Sequence, residues 1–380
     1  MTRDGDAVNR LYTNNCEAIM FGLFGKSKKE FQAIIKPSGK TLDVQAGDNL
    51  LKAGLAAGMR WPHDCRVGSC GTCKCRLVEG KVKELSDFAY VLDGDDLNRG
   101  MILACQTQLK SDVVIEVEMN IGDEDTAGVS TTTGVLSGTR MLTHDIMELT
   151  IKIDQPLREK GGHYRAGQYA DISFPGISHP RSYSFAAAPE DDRRNELTFF
   201  VRKVPNGELT SWLFEDDRTG SPVTVSGPYG SFWLREGDGP VVCIAGGSGM
   251  SSIKSLLEHA ANVGCDRDIF YLFGARTQAD LYCLDKMRAL EQEWNSGSTL
   301  RFIPVLSDEP DNSDWQGLRG MVTEHIPDQL EDWSSTQAYL CGPPPMIDAA
   351  IKSLRQQGVD QNNIHFDKFL DASSMPNGRQ

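Results

Sequence analysis

From Phe31 the chain alternates between apolar and polar positions. In "EFQAIIKPSGKTLDVQAG" the alternation runs on either side of Ser38-Gly39, which predicts two short strands joined by a turn. "DNLLKAGLAAGM" then changes to helical spacing behind an aspartate cap. A cysteine-rich loop and a second helix-like patch, "DGDDLNRG", lead into "MILACQTQLKSDVVIEVEM", which returns to period two. Residues 31–119 therefore read as a compact ββαβ-type module. Residues 120–133, acidic, small and hydroxyl-rich, read as a linker. Over residues 134–237 several short strands ("GVLSGTRML", "IMELTIKI", "QYADISF", "RSYSFAAA", "ELTFFVRKV", "SPVTVSGPYG") predict a small antiparallel barrel. From Pro240 the rhythm changes again. "VVCIAGGSGMSSIKSLLEHA", "DIFYLFGARTQADLYCLDKMRAL", "LRFIPVLSDEP" and "QAYLCGPPPMIDAAIKSLRQQG" each start as a buried strand and pass through a turn, mostly into a helix. That is the pattern of a parallel α/β sheet, here over residues 238–370. Residues 1–30 read as a flexible leader, with Met20 an alternative start, and 371–380 as a tail.

Composition narrows the class. With 39% apolar and 24% charged residues the chain is of globular type, and its 380 residues suit two or three domains. No stretch approaches the roughly 18 to 20 apolar residues of a membrane span. The N-terminus lacks the layout of a secretory signal, so a cytoplasmic address is expected. The net charge of −14 is uneven: residues 31–120 hold 11 basic against 12 acidic side chains, residues 241–380 hold 11 against 19. This argues against a nucleic-acid partner, which needs basic stripes. Ten cysteines in a reducing compartment point to ligands or buried thiols rather than disulfides.

Four of them, Cys65, Cys70, Cys73 and Cys75, crowd into "DCRVGSCGTCKCRL". Structural zinc takes two C-x₂₋₄-C pairs, and this loop does not supply them. C-x₄-C-x₂-C with a distant fourth cysteine is instead the plant-type [2Fe–2S] spacing, and Cys105 in "ILACQTQL" is that fourth. Gly68 and Gly71 let the backbone wrap closely. Cys75 reads as a buried thiol in a strand rather than a ligand.

On "CRVGSCGTC" and "ILACQT", residues 31–119 resemble a plant-type ferredoxin, and the remainder resembles a ferredoxin–NADP reductase-type flavoprotein. In this order the modules resemble the reductase components of bacterial multicomponent oxygenases. The resemblance implies a β-grasp-like ferredoxin domain, an antiparallel β-barrel FAD domain and a parallel-sheet α/β NAD-binding domain. It also implies site residues. Arg181, Ser182, Tyr183 and Ser184 match an R-x-Y-S flavin motif, where arginine forks onto pyrophosphate and an aromatic ring stacks on the flavin. Gly207, Glu208, Leu209 and Thr210 would open a helix whose free amides face phosphate, and Arg202 would reach the adenine side. Gly246, Gly247, Ser248 and Gly249 form a nucleotide-binding turn, although Ser251-Ser252 replaces the proline usual there. In "YLCGPPPM", Cys341 is expected beside the nicotinamide, with Gly342 and Met346 completing the segment; Tyr183, Ser184 and Cys341 are the expected catalytic residues. "FGARTQADLY" offers Gly274, Arg276 and Asp280 to the adenosine ribose. Phe366 or Phe369 could cover the flavin, with packing the blander role for both; His63 reads as structural.

The implied activity is that of an NAD(P)H-dependent flavin and iron–sulfur oxidoreductase. Electrons would pass from NADH (NADPH being the alternative) through FAD and the cluster to a separate terminal oxygenase, either a diiron monooxygenase or a Rieske-type dioxygenase. A deoxysugar dehydrase is another possible acceptor. A non-enzymatic redox sensor keeping the fold is a reading of a different class, and the intact motifs oppose it.

Overall fold

The computed structural model describes residues 30–59, 61–63, 66, 68, 71–85, 87–88, 91–117, 130–157, 163–178, 180–190, 194–294 and 297–369. The expected leader up to residue 29, the C-terminal tail, most of the linker, Cys65 and Cys70 lie outside them.

Strands β1 (Glu30–Lys36) and β2 (Lys40–Gln45) pair antiparallel through the Ser38-Gly39 turn, where Gly39 takes φ +69°. Helix α1 (Leu50–Ala56) follows. Its cap is Asn49, whose side chain accepts from the Lys52 amide at 2.7 Å, and not the aspartate expected from sequence. Asp48 pairs with the Lys52 ammonium instead, at 2.8 Å. Next come β3 (Lys74–Glu79), β4 (Val82–Glu84), α2 (Gly94–Asn98), β5 (Met101–Leu103), β6 (Thr107–Leu109) and β7 (Val113–Glu116). The main sheet runs β2-β1-β7-β3-β5, with β1 and β7 parallel, a β-grasp arrangement; β4 and β6 form a separate ribbon. Alternation sets its core, since Phe31, Ala33 and Ile35 of β1 point inward while the residues between them face out.

The second unit comprises β8 (Ser130–Met141), β9 (Ile146–Ile153), β10 (Tyr169–Ser173), β11 (Arg181–Ser184), β12 (Glu196–Arg202), α3 (Glu208–Glu215) and β13 (Pro222–Tyr229). Its strands run β11-β10-β13-β8-β9-β12, all antiparallel. A bridge between Phe185 and Phe199 joins the two ends and nearly closes the barrel. Strand β8 starts at Ser130, inside the stretch that composition assigns to a linker. Threonine is β-branched and favours strands, and here Thr131 bonds across to Ser226 at 2.9 Å.

The third unit holds β14 (Val241–Gly246), α4 (Met250–Asn262), β15 (Ile269–Ala275), α5 (Leu284–Gln292), β16 (Leu300–Leu306), β17 (Leu318–Arg319), β18 (Gln337–Gly342), α6 (Pro344–Gln356) and β19 (Ile364–Lys368). All six strands are parallel, in the order β17-β16-β15-β14-β18-β19. Between β16 and β17 the chain carries no helix, consistent with the turn formers of "SDEPDNSDWQG". The strand order reverses between β14 and β18, so a crevice opens at their C-terminal ends. One face of this sheet packs under α4 and α5 and continues into the barrel through Ile146, Ala186, Phe200 and Phe232. Among the described residues no helix is long and apolar enough to cross a membrane.

Candidate cofactor sites

Cys73 lies just before β3, and Cys105 lies in a 3-10 turn, Ala104–Gln106, between β5 and β6. Both are buried, and their sulfurs stand 3.3 Å apart. That is too far for a disulfide bond of about 2.05 Å. It is close to the ~3.7 Å expected of two thiolates bound at ~2.3 Å to one tetrahedral metal ion. The donor pair therefore fits an iron–sulfur centre. Cys75 sits one strand period beyond Cys73, opposite Ile102, in the same core. Burial, and then the neighbouring Cys73, push its thiol well above the ordinary range. Gly68 and Gly71 hold φ +79° and +76°, so the loop needs glycine for its left-handed turns as well as for close approach.

Strand β11 carries the R-S-Y-S stretch expected to bind flavin. Arg181 is partly exposed, and one Nη lies 3.6 Å from Glu208, the first residue of α3. The motif and the helix N-terminus thus converge on one spot, as an arginine-and-amide cradle for a pyrophosphate requires. Gly207 caps the helix without a side chain; a Cβ there would meet Thr210 Oγ1 at 2.5 Å. The Thr210 hydroxyl is buried and donates to the Val204 and Gly207 carbonyls, at 3.2 and 3.3 Å, so it ties the loop. Leu209 points into the barrel core and offers a ligand its amide alone. Tyr183 is half-buried against that core, and burial raises its phenol, opposed by Arg181. Ser184 is buried. Ser182 donates to Asp171 at 2.6 Å. Arg202 lies elsewhere: it donates to Asp145 at 2.9 Å and lines the cleft between barrel and parallel sheet.

That cleft encloses about 240 Å³ at the point where the strand order reverses. Gly246, Gly247, Gly274, Arg276 and Met346 line it, as a nucleotide-binding crevice would need. Ser248 and Gly249 follow in the 3-10 turn that opens α4. A Cβ on Gly249 would lie 2.1 Å from the Cys341 carbonyl oxygen, and one on Gly246 2.8 Å from Met346 Sδ. Glycine is thus what lets the ends of β14 and β18 approach. Cys341 is fully buried behind this wall, and its thiol donates to Ser252 Oγ at 3.3 Å. Burial, and then Asp367, raise the thiol well above its ordinary range, opposed by Ser252. The cleft's lining carries Arg202, paired with Asp145 at 2.9 Å, Asp280, 3.5 Å from His144, and Arg276. Burial pushes the Asp145 carboxyl up, but bonding to Arg202 outweighs this and holds it low. Asp280 Oδ2 accepts from the Thr277 amide and hydroxyl at 2.9 and 3.0 Å. No sequence pattern points to Asp145, and Ser252 shows only as a departure from the expected motif.

Three domain families match along the chain: a 2Fe-2S iron-sulfur cluster binding domain over residues 33–110, an oxidoreductase FAD-binding domain over 133–233, and an oxidoreductase NAD-binding domain over 243–352. The xylene/toluene monooxygenase electron transfer component XylA of Pseudomonas putida is 41% identical over 89% of this chain and 93% of its own length. The chain belongs to the iron–sulfur flavoprotein reductases of oxygenase systems. The reductase is also 35% identical to the phenol 2-monooxygenase reductase component DmpP of Pseudomonas sp. strain CF600, over 90% of this chain and 95% of that one. Among solved structures, the Amycolatopsis cytochrome P450 reductase GcoB superposes with a TM-score of 0.70 at 30% identity, covering 89% of this chain and 98% of the other. The reductase is therefore an electron-transfer oxidoreductase with domains for a [2Fe–2S] cluster, FAD and a nicotinamide nucleotide.

Proposed function

We propose that the reductase takes electrons from NADH and delivers them to the hydroxylase of a multicomponent monooxygenase in the cytoplasm. The continuity of the molecule carries this reading: the nucleotide cleft shares a core with the flavin barrel, and the barrel touches the cysteine loop through Arg66 and Asp171 at 2.6 Å. When bound, FAD accepts the hydride and the [2Fe–2S] cluster carries single electrons; the protein positions both and tunes them. Arg181 and the amides of α3 hold the anionic pyrophosphate. Tyr183 supports the flavin ring, with Ser184 beside it. Gly246 and Gly247 let the nucleotide backbone approach. Buried as a thiol, Cys341 packs behind the nicotinamide end of the cleft. Cys73 and Cys105, with Cys65 and Cys70, hold the cluster. Asp280 in the cleft supports NADH, because a carboxylate accepts from a free ribose diol and repels the extra 2′-phosphate of NADPH. The monooxygenase systems named for XylA and DmpP support the acceptor.

Reconstitution tests it. The holo-reductase is mixed with a purified monooxygenase hydroxylase, or with a Rieske terminal oxygenase, and product is followed with each nucleotide. Product with the hydroxylase and a kcat/KM for NADH at least tenfold that for NADPH are expected. Turnover with the Rieske component alone, or a preference for NADPH, would overturn the assignment.

A further inference from the structure

One side chain crosses from the cysteine loop to the flavin barrel. Arg66 follows Cys65 in sequence and holds φ +57°, a region that residues other than glycine rarely enter. Its Nη1 donates to Asp171 Oδ2 at 2.6 Å, and its Cζ lies 3.8 Å from the centroid of the Tyr229 ring. The other Asp171 oxygen accepts from Ser182, inside the R-S-Y-S motif, at 2.6 Å. Toward the loop, Arg66 Nη2 lies 3.5 Å from His63 Nε2, and His63 Nδ1 lies 2.7 Å from the Trp61 carbonyl oxygen. Trp61 Nε1 in turn donates to the Cys73 carbonyl at 3.4 Å. Each step is local, yet the chain of contacts joins the backbone of one buried cysteine to the flavin motif. Arg66 and Asp171 lie 105 residues apart in sequence.

The pair is mostly shielded, with side-chain exposures of 25% and 17%, so bulk water and salt weaken it less than a surface pair. Arginine suits the place because its planar fork meets a carboxylate and stacks on a ring at once; an ammonium would reproduce the charge alone.

We propose that Arg66 is a positioning residue for electron transfer within the molecule, clamping the cysteine loop against the flavin motif. The proposal rests on the reading that electrons pass from FAD to the cluster. Electron tunnelling weakens exponentially with distance, so a loosened loop slows that step while leaving the nucleotide cleft intact.

The test compares holo wild-type protein with Arg66→Ala, Arg66→Lys and the swap Arg66→Asp/Asp171→Arg. Anaerobic mixing with NADH follows flavin bleaching and cluster reduction separately, and amide hydrogen exchange is measured over residues 167–173 and 226–231. Flavin bleaching within twofold of wild type is expected in Arg66→Ala and Arg66→Lys. Cluster reduction should slow at least tenfold in the alanine variant and less in the lysine variant, with faster exchange around Tyr229 and unchanged iron and FAD content. Partial recovery in the swap supports the clamp. Cluster reduction at the wild-type rate in the alanine variant would overturn it, as would loss of iron or FAD in both single variants. Failure of NADH to bleach the wild-type flavin would defeat the functional reading instead.

Discussion

Cys73 and Cys75 flank Lys74 and are both almost fully buried, but only the Cys73 sulfur is placed 3.3 Å from Cys105. Cys75 packs among apolar side chains, where a thiol serves as a small hydrophobe. Replacing Cys105 by Ser should therefore abolish the cluster's visible absorption. Replacing Cys75 by Ser should keep it, at a cost of roughly 1 to 3 kcal/mol for burying a hydroxyl, read from denaturant unfolding. The opposite spectra would refute this division of roles. Spacing pointed to Cys73 and Cys105, 32 residues apart, whose sulfurs the fold brings together. It did not reveal that Ser252 would bond to Cys341, since the two are 89 residues apart and meet only through packing.

Helix α3 begins at the flavin motif with an acidic residue, which also answers the positive end of the helix dipole. Glu208 accepts from the Ser178 amide and hydroxyl at 3.0 and 2.5 Å and lies 3.6 Å from Arg181. The Arg181–Glu208 pair is about two-fifths exposed on each side, so it adds little stability. On the proposed reading, a pyrophosphate bound by Arg181 would compete with this carboxylate for the same guanidinium. Arg181→Ala should therefore raise the FAD dissociation constant by about tenfold, the loss of one charge-assisted contact, and Glu208→Gln should lower it. Flavin titration of the apoprotein reads both, and a weaker Glu208→Gln complex would argue against competition. At this scale the hydrophobic period indicates most strands and most helices, while α3 was expected from the resemblance alone. The misses were local. Asn49 took the cap from its neighbour, and the threonines after Ser130 extended β8 into apparent linker, because side-chain hydrogen bonds decided what composition alone could not.

Taken whole, the molecule places a cleft at a topological switch point, a barrel sharing its core, and a cysteine loop joined to that barrel by the Arg66–Asp171 pair. The order of modules is readable from motifs, but the joints between them are not: Arg66 lies in "CRVGSCGTC" and Asp171 and Tyr229 in predicted strands, yet nothing in those patterns pairs residues 105 positions apart. The central claim is that electrons run one way through these parts, from nucleotide to flavin to cluster. Anaerobic stopped-flow mixing of the holo-reductase with NADH tests it most directly. Flavin absorbance should bleach first and cluster absorbance follow in a slower, separate phase; cluster reduction that precedes flavin bleaching, or proceeds without it, would contradict the account.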